Sequence, residues 1–348
     1  MTASPQLQCL GLNYRTAPLA VRECFSVARS RLAQSNAELR ALPGVEECVL
    51  LSTCNRTELY YWSYSPELAY ANIVAHFLGA APQMGDVSAC FYNFCDEAAL
   101  EHLASVAAGL DSMVVGETEI FGQLKDAYRA AQEAGSTASC ANRTFQRIFS
   151  IGKKVRTETD ITSGPTSLGA VAVQLAHRAL GGLSGANVLV VGAGEIARST
   201  ARSLRSRGAE SIFVANRSYD RAVALAEQVG GRVIRFSEWV PYLEQIDIVI
   251  VSTASPVYVV APSVLLATQD VRRGRPLFLI DLSVPRNVDP ACAEVPGVHV
   301  YDIDDMEAHV AETRQRRAGE IESGMTMIRD WVAQNAADLL HRSEFIHG

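Results

Sequence analysis

Cys54 is the residue whose position most clearly suggests covalent chemistry. It follows Thr53 and precedes Asn55 and Arg56 in a polar turn between two apolar segments, ECVLLS and ELYYWS. Side chains in such a turn can face a cleft, and a nearby cation such as Arg56 can stabilise a thiolate and raise its reactivity. The pattern makes Cys54 a candidate nucleophile, with the ordinary alternative that it is a small, inert thiol.

The other cysteines do not suggest a metal centre or a disulfide framework. The eight cysteines of the chain are scattered, without CxxC spacing and without neighbouring histidine ligands. This distribution is typical of reduced thiols. We therefore expect no bound metal.

A glycine-rich turn predicts a dinucleotide site. The apolar run NVLVV is followed by Gly192-Ala193-Gly194-Glu195-Ile196-Ala197, the G-x-G-x-x-A pattern that opens a helix. Gly192 would permit the tight turn, Gly194 would let a pyrophosphate approach the backbone, and Ala197 would allow close helix–strand packing. The helix N-terminus supplies free N–H groups. Strand, glycines, helix and second strand follow within about thirty residues, which favours a Rossmann unit over a turn that binds nothing.

The end of the next strand indicates which dinucleotide is bound. The segment VANRS places Asn216, Arg217 and Ser218 where an NAD enzyme presents an acidic residue to the ribose diol. An arginine there would pair with a 2′-phosphate, so NADPH is favoured. The alternative is that Arg217 is only a surface charge.

The surrounding pattern predicts an α/β protein of three regions. Residues 1–160 combine the strands LQCLGLNY, ECVLLS and ELYYWS with an amphipathic segment from Val21 to Leu42 and helical periodicity from Pro66 to about Thr159, an α+β catalytic domain. Residues 161–302 contain continuous apolar strands separated by helices, typical of a Rossmann domain with a parallel sheet covered on both faces. Residues 303–348 form a long C-terminal helix.

That last helix carries an apolar stripe with no later element to cover it. Ile321, Met325, Ile328, Val332 and Leu339 recur mostly at three- and four-residue spacing. A lone amphipathic helix docks on another chain or on the body of its own. We expect homodimer contacts to include residues 303 to 340.

Charge and hydropathy limit the partners. The net charge of −7 argues against general nucleic-acid binding, so any RNA contact is local. The segment ANRTFQRIFSIGKKVRTET concentrates positive charge, as a solvated helix face or as such a contact, in Arg143, Arg147, Lys153, Lys154 and Arg156. The start MTASPQLQCL has no basic region before an apolar run, and no stretch of 18 apolar residues occurs. These features predict a cytoplasmic protein without a membrane partner.

Taken together, the motifs resemble the glutamyl-tRNA reductase family. The resemblance runs in register from GLNYRTAP (11–18) to the final helix. The segments that carry it are LSTCNRTELY (51–60), HLASVAAGLDSMVVGETEIFGQLKDAY (102–128), KKVRTET (153–159), VVGAGEIA (190–197), VANRS (214–218) and LIDLSVPRNVDP (279–290).

The resemblance implies an activity and a set of site residues. Cys54 would attack the ester of glutamyl-tRNA to give a thioester, and hydride from NADPH would reduce it to glutamate-1-semialdehyde, the first step of C5-pathway tetrapyrrole synthesis. His102 aligns with a histidine important for activity, by orienting the substrate or polarising its carbonyl. Arg56 would bind the glutamate carboxylate. The implied substrate contacts are Thr53, Asn55, Arg56, Ser112, Glu117, Thr118, Glu119 and Gln123.

Three departures from the family pattern keep alternatives open. Tyr14 and Arg15 stand where His and Lys are usual, and GETE replaces GEPQ, which places Thr118 and Glu119 in a substrate-facing stretch. Members usually continue into a helical dimerisation domain after the long helix, so a shortened homodimer is expected. The alternatives are a diverged paralogue that reduces another aminoacyl-tRNA or serves a specialised pathway, a non-catalytic tRNA-binding protein and a simple NADP-dependent dehydrogenase. Handover of the aldehyde to glutamate-1-semialdehyde aminomutase is a further implied partnership.

Overall fold

The computed structural model describes residues 4–80, 87–162, 167–306, 315 and 317–340. Its contacts divide the chain into two units, Met1–Gly164 with Arg314–Gly348, and Pro165–Thr313. The long helix therefore groups with the first unit, where the sequence predicts a separate region. No helix among the described residues is both long and apolar enough to cross a membrane.

The first unit contains a four-stranded antiparallel sheet in the order β2-β3-β1-β4. Its strands are β1 (Gln6–Asn13), β2 (Glu47–Ser52), β3 (Arg56–Ser63) and β4 (Tyr92–Cys95). The strand β4 lies inside the stretch predicted to be helical. It is only four residues long, and its pairing with β1 bridges more than eighty residues of chain, so the periodicity of the flanking helices hides it.

Helices cover both faces of this sheet because side chains of alternating strand positions are buried on each side. One face packs on α1 (Leu19–Phe25), α2 (Leu32–Arg40) and α3 (Pro66–Ala80). The other packs on α4 (Asp96–Ala108), α5 (Glu119–Glu133) and α6 (Ser139–Glu158). The predicted segment Val21–Leu42 is thus two helices, interrupted where the N–H of Val27 donates to the Ser52 hydroxyl at 2.8 Å.

The C-terminal helix α12 (Ala318–Leu340) packs against α4 and α6 of its own chain. Its buried residues follow one helix stripe, namely Gly324, Ile328, Val332, Ala336 and Leu339. Of the two outcomes expected for this stripe, the structure shows the second for residues 318–340, because the stripe docks on the body of its own chain. The hydrophobic core formed with α4 and α6 buries it without a second copy.

The second unit is a six-stranded parallel sheet in the order β10-β9-β8-β5-β6-β7. Its strands are β5 (Asn187–Val191), β6 (Ser211–Asn216), β7 (Arg232–Arg235), β8 (Ile248–Val251), β9 (Leu277–Asp281) and β10 (Val298–Tyr301). Its helices are α7 (Leu168–Leu180), α8 (Glu195–Ser206), α9 (Tyr219–Val229), α10 (Pro262–Leu266) and α11 (Gln269–Arg272). This topology confirms the predicted Rossmann fold, and its strand order reverses at β5, where such sheets bind their ligands.

Candidate active site

The turn that carries Cys54 is held by hydrogen bonds from both sides. The Thr53 hydroxyl accepts the backbone N–H groups of Asn55 and Arg56 at 3.1 and 3.2 Å. Arg22 donates from Nη1 to the Cys54 carbonyl at 2.9 Å and to Oδ1 of Asn55 at 3.3 Å. Thr53 and Asn55 thus shape the turn, and Arg22, which sequence reasoning missed, anchors it from α1.

The thiol of Cys54 lies in surroundings that disfavour its charged form. Burial raises the pKa of Cys54 to about 12, with a further rise from the carboxylates of Glu117 and Glu119 and an opposing effect from Arg22. Among the causes of this shift the only cation is Arg22, whereas the sequence favoured Arg56. The thiol is therefore protonated at neutral pH, and its proton must leave as it attacks.

Arg56 instead turns into the first unit. Its Nη1 lies 2.7 Å from Oε1 of Glu58 and 2.9 Å from Oδ2 of Asp111, and its Nη2 donates to the Asp111 carbonyl at 2.7 Å. Its side chain is 1% exposed. Arg15 binds the other oxygen of Asp111 at 2.5 Å, so the GLNYRTAP, TCNR and GLDSM segments meet in one ion network.

Glu58 is the centre of this network, and the sequence analysis did not identify it. Its carboxylate accepts hydrogen bonds from the hydroxyls of Tyr60 and Tyr92 at 2.5 and 2.6 Å, and it lies 2.9 Å from Nε2 of His102. Burial alone would raise the pKa of Glu58, but Arg56 and His102 hold it well below its ordinary value. Glu58 is therefore ionised, and Nε2 of His102 is the donor.

The backbone opposite Glu58 leaves room for this carboxylate. Gly11 faces Glu58 in the pairing of β1 with β3, and a Cβ at Gly11 would lie 2.7 Å from Cγ of Glu58.

One local signal could have revealed the cluster: Arg56, Glu58 and Tyr60 alternate along one strand, so their side chains share a face. A charged residue at an apparent core position of a strand is the informative exception.

His102 lies on α4 and not in the Cys54 turn. Three aromatic rings surround its imidazole ring. Its ring packs against Phe94 at 4.8 Å, Tyr92 at 5.5 Å and Tyr60 at 6.5 Å between centroids. Its hydrogen bond to Glu58 fixes which ring nitrogen carries the proton. The described contacts connect His102 to the Cys54 turn through Glu58 and Arg56.

Cys9, Glu58 and His102 also have the composition of a metal site. Their potential ligand atoms lie within 4.8 Å of one another. The carboxylate oxygens, however, already accept hydrogen bonds from two tyrosines and from a guanidinium at 2.7 Å. A divalent cation would have to displace these donors beside a positive charge, so this group does not suit a metal ion.

Of the predicted substrate contacts in the GLDSM and GETE segments, Glu117 and Glu119 lie close enough to Cys54 to raise its pKa. Ser112 is buried, and its hydroxyl has no hydrogen-bond partner among the described residues. Glu119, the first residue of α5, is buried, and Thr118 before it is exposed. Gln123 follows one turn later and is half-buried. The Ser112 hydroxyl also acts on Glu117, because it lowers the pKa of that carboxyl against the effect of burial.

The predicted dinucleotide loop has the geometry that its glycines imply. Gly192 adopts φ +121°, and a Cβ there would lie 2.0 Å from the Ser252 carbonyl oxygen. A Cβ at Gly194 meets no atom within 4 Å, which leaves open space at the N-terminus of α8. Ala197 is fully buried against the sheet. Ala193, Glu195 and Ile196 complete the loop and the first turn of α8. The site fits a dinucleotide pyrophosphate.

Arg217 is exposed at the end of β6. Its Nη2 donates to the Ser255 hydroxyl at 3.0 Å, and its guanidinium lies 5.7 Å from the centre of the Phe236 ring. Asn216 donates from Nδ2 to the Ser218 carbonyl at 2.9 Å, which shapes the turn after the strand. Arg217 therefore lies in the turn that follows β6, next to the polar side chain of Ser255.

A polar network follows the ends of β8 and β9, and the sequence analysis did not identify it. Asp281 accepts the backbone N–H groups of Ser283, Asn287 and Val288 at 3.0, 2.6 and 2.7 Å. Burial raises the pKa of Asp281 to about 6, against the effect of these hydrogen bonds. Asn287 in turn donates to the Ser255 carbonyl at 2.9 Å, so this network supports the loop that holds Arg217.

Comparison with known proteins agrees with this architecture. Residues 10–159 match the family described as "Glutamyl-tRNAGlu reductase, N-terminal domain", and residues 174–309 match "Shikimate / quinate 5-dehydrogenase". The glutamyl-tRNA reductase of Akkermansia muciniphila is 50% identical over 96% of this chain and 98% of its own length. The chain belongs to the glutamyl-tRNA reductase family.

Two further relatives support the membership. The glutamyl-tRNA reductase of Desulforudis audaxviator is 44% identical over 88% of this chain and 70% of its own length. The solved structure of glutamyl-tRNA reductase from Methanopyrus kandleri is 33% identical, with a TM-score of 0.50 over 96% of this chain and 80% of that one. The chain is thus an oxidoreductase of this family with a nicotinamide-nucleotide-binding unit.

Proposed function

We propose that this family member reduces glutamyl-tRNA to glutamate-1-semialdehyde through a thioester on Cys54, with NADPH as reductant. The observation that carries the proposal is the Cys54 turn, held by Arg22 and flanked by Glu117 and Glu119 in a motif context shared with the family. The substrate, tRNA charged with glutamate, presents an activated ester to the thiol. A thioester accepts hydride far more readily than a carboxylate does, which is the reason for a covalent step.

The first half of the reaction exchanges an ester for a thioester. The Cys54 sulfur attacks the ester carbonyl carbon, its proton passes to a carboxylate, and the tRNA 3′-terminal oxygen leaves with a proton. We assign the proton acceptor to Glu117, because burial raises its pKa above the ordinary carboxyl value and makes it the better base. Arg22, through its hydrogen bond to the Cys54 carbonyl, keeps the turn in place during attack.

Glu119 is negatively charged, and so is the side-chain carboxylate of the substrate. The role proposed for Glu119 explains why an acidic residue lies there. The glutamyl ester carries an α-ammonium on the carbon next to the reacting carbonyl. We propose that Glu119 pairs with this ammonium, while the Ser112 hydroxyl and Gln123 bind the rest of the glutamyl group. An α-ammonium is common to every aminoacyl-tRNA, so Glu119 gives no reason to prefer the alternative of a different amino acid.

The γ-carboxylate is assigned to Arg56. Its observed hydrogen bonds to Glu58 and Asp111 use three N–H groups of a guanidinium that carries five. Two N–H groups remain for one carboxylate, and because the side chain is 1% exposed, the segments around it must open for the substrate to reach them. In this assignment Glu58, Asp111 and Arg15 fix the orientation of the guanidinium before substrate arrives, which reduces the ordering cost of binding.

NADPH, when bound, supplies the hydride that converts the thioester to an aldehyde, and the Cys54 sulfur leaves. The protein's contribution is to hold the dinucleotide at Gly192 and Gly194 and to meet its 2′-phosphate with Arg217. Ser255 orients that arginine through its 3.0 Å hydrogen bond.

Cytoplasmic location, a homodimer and handover of the aldehyde to the aminomutase belong to this proposal. Charged tRNA is available in the cytoplasm, and a reactive aldehyde favours direct transfer. Because the buried stripe of α12 is covered by α4 and α6, a homodimer would have to use another surface.

The deciding experiment incubates the purified chain with glutamyl-tRNA and NADPH and traps the aldehyde. Cys54→Ser serves as the matched control, since its hydroxyl replaces the thiol with minimal change of shape. We expect aldehyde from the unmutated chain and none from the variant. Absence of aldehyde from both, with glutamyl-tRNA intact, would refute the proposal.

A further inference from the structure

One surface of the first unit has no role in the proposed reaction steps. It consists of two lysines, an arginine and two phenylalanines. Lys125 on α5 lies with its Nζ 4.5 Å from the centre of the Phe121 ring and 5.8 Å from that of Phe149. The guanidinium of Arg156 lies 5.9 Å from the centre of the Phe121 ring. Lys153 belongs to the same α6 face, because Phe149, Lys153 and Arg156 follow at spacings of four and three. These five residues are called the α5–α6 surface below.

The lysines of this surface lack acidic partners. Among the described residues, no carboxylate forms an ion pair with Lys125 or Lys153, although the protein has a net charge of −7. Arg156 differs, because the charge of the Glu117 carboxylate acts on it. By contrast, two arginines of the same helices do pair with carboxylates: Arg129 with Asp126 at 3.5 Å and Arg147 with Asp338 at 3.9 Å. Lys125 and Lys153 are exposed, and both phenyl rings are half-buried.

The positions of the lysines in the sequence also point to the α5–α6 surface. The chain uses arginine for 28 of its 31 basic residues, and all three of its lysines, at positions 125, 153 and 154, lie on α5 and α6. Arginine therefore serves as the general surface cation of this protein. A lysine has a compact charge on a flexible stem, which suits contact with a phosphate whose position varies. Two of the three lysines belong to the α5–α6 surface.

This surface is also connected to the Cys54 site within the first unit. Arg156 donates from Nη1 to the Glu117 carbonyl at 2.7 Å, and the Glu117 carboxylate is one of the two that raise the pKa of Cys54. Whatever binds across the α5–α6 surface thus lies next to the residues that handle the ester. In a charged tRNA, the atoms adjacent to that ester belong to the unpaired 3′ end.

We infer that the α5–α6 surface binds the single-stranded 3′ end of the tRNA, with Lys125, Lys153 and Arg156 at its phosphates and Phe121 and Phe149 beside its bases. The inference rests on the proposed function, which supplies the tRNA. Unpaired nucleotides suit this surface better than a duplex, because aromatic faces stack on bases that are not already stacked in a helix. A local surface of this kind also agrees with an acidic protein that has no general affinity for RNA.

The test measures binding without turnover. In the Cys54→Ser background, the affinity of an uncharged tRNA(Glu) transcript is measured by fluorescence anisotropy across a series of NaCl concentrations. We expect Lys125→Ala and Lys153→Ala each to weaken binding about three- to tenfold and to reduce the salt slope by about 0.7, the value for one phosphate of a single strand. Circular dichroism verifies that each variant is folded, which the exposure of both side chains favours.

Lys154→Ala is the matched control. Lys154 is exposed and carries the same charge, but it lies one residue further along α6, about 100° round the helix from Lys153. We expect this variant to weaken binding less than about twofold. An equal loss from Lys154→Ala and Lys153→Ala would overturn the inference, because it would indicate a diffuse positive field rather than a defined surface.

A second probe tests the occupant. A transcript that lacks its unpaired 3′ nucleotides should bind more weakly, and Lys125→Ala and Lys153→Ala should have no further effect on it. If both variants weaken the shortened transcript as much as the full one, the surface binds the duplex and the inference is wrong. Aldehyde formation by the unmutated chain is measured separately. If the unmutated chain forms no aldehyde but the variants change tRNA binding as expected, only the proposed function is refuted. If it forms aldehyde but the variants do not change binding as expected, only the assignment of the α5–α6 surface is refuted.

Discussion

Nε2 of His102 lies 2.9 Å from Oε1 of Glu58, and the same oxygen lies 2.7 Å from Nη1 of Arg56. A single buried carboxylate therefore orients both a histidine and the arginine that follows the Cys54 turn. We expect Glu58→Gln to lower kcat at least about tenfold, because the amide offers one acceptor where the carboxylate serves four donors. The measurement is aldehyde formation over a range of pH.

Tyr92→Phe is the control for Glu58→Gln, since it removes one hydrogen bond to Glu58 and leaves the charge. It should have a much smaller effect on kcat. If Glu58 had only a structural role, Glu58→Gln would lower stability but leave kcat and its pH profile unchanged in the folded fraction. That result would contradict a positioning role for Glu58.

We also expect Glu58→Gln to change how the stability of the protein depends on pH in the acid range. The folded-state pKa of Glu58 is depressed, so its ionised form stabilises the fold at pH values above the ordinary carboxyl pKa, and this contribution is lost as pH falls toward the folded-state value. Breaking a buried ion pair of this kind costs about 3–5 kcal/mol near neutral pH. Unfolding curves should show the largest difference between Glu58→Gln and the unmutated protein near pH 7 and a smaller difference near pH 3.

Cys54 gives a prediction about pH dependence without substrate. Because burial and two carboxylates raise its pKa to about 12, the rate of alkylation by iodoacetamide should rise about tenfold per pH unit from pH 7 to 10. Peptide mass spectrometry follows Cys54 separately from the other cysteines. A rate that levels off below pH 8 would show that the thiol is already ionised in the free protein.

Glu119→Gln should have opposite effects on the two reactions of Cys54. Removal of a negative charge lowers the pKa of the thiol, so alkylation at pH 7 becomes faster. With glutamyl-tRNA, loss of the partner for the α-ammonium should raise KM or lower kcat/KM by about tenfold or more. If alkylation and aldehyde formation both increase, Glu119 does not bind the substrate.

Arg217 determines the expected cofactor preference. Arg217→Asp should lower the ratio of NADPH to NADH activity about 10²-fold or more, because the new carboxylate repels the 2′-phosphate and accepts hydrogen bonds from a ribose diol. Arg221→Asp, a similar change on the exposed side of α9, is the control. An unchanged ratio in Arg217→Asp would place Arg217 outside the cofactor pocket.

Several features of this protein depend on short stretches of chain, and those were predictable. The dinucleotide loop needs only a strand, two glycines and a helix in order, so Gly192, Gly194 and Ala197 were recognisable from spacing alone. The Cys54 turn is similar, since Thr53 supplies the hydroxyl that closes it and two apolar strands flank it. Backbone propensity and local hydrogen bonds act over a few residues, and the sequence displays them directly.

Only the tertiary structure decided which partners the charged residues take. Arg56 meets Asp111, which lies 55 positions away. Glu119 lies close enough to Cys54 to raise its pKa, although two strands and two helices, β3, α3, β4 and α4, separate them in the chain. The stripe of α12 likewise finds its cover on α4 and α6, some two hundred residues earlier. Burial makes such pairings strong, because a charge removed from water must be compensated by whichever opposite charge the fold brings to it, and that choice is not encoded in local spacing.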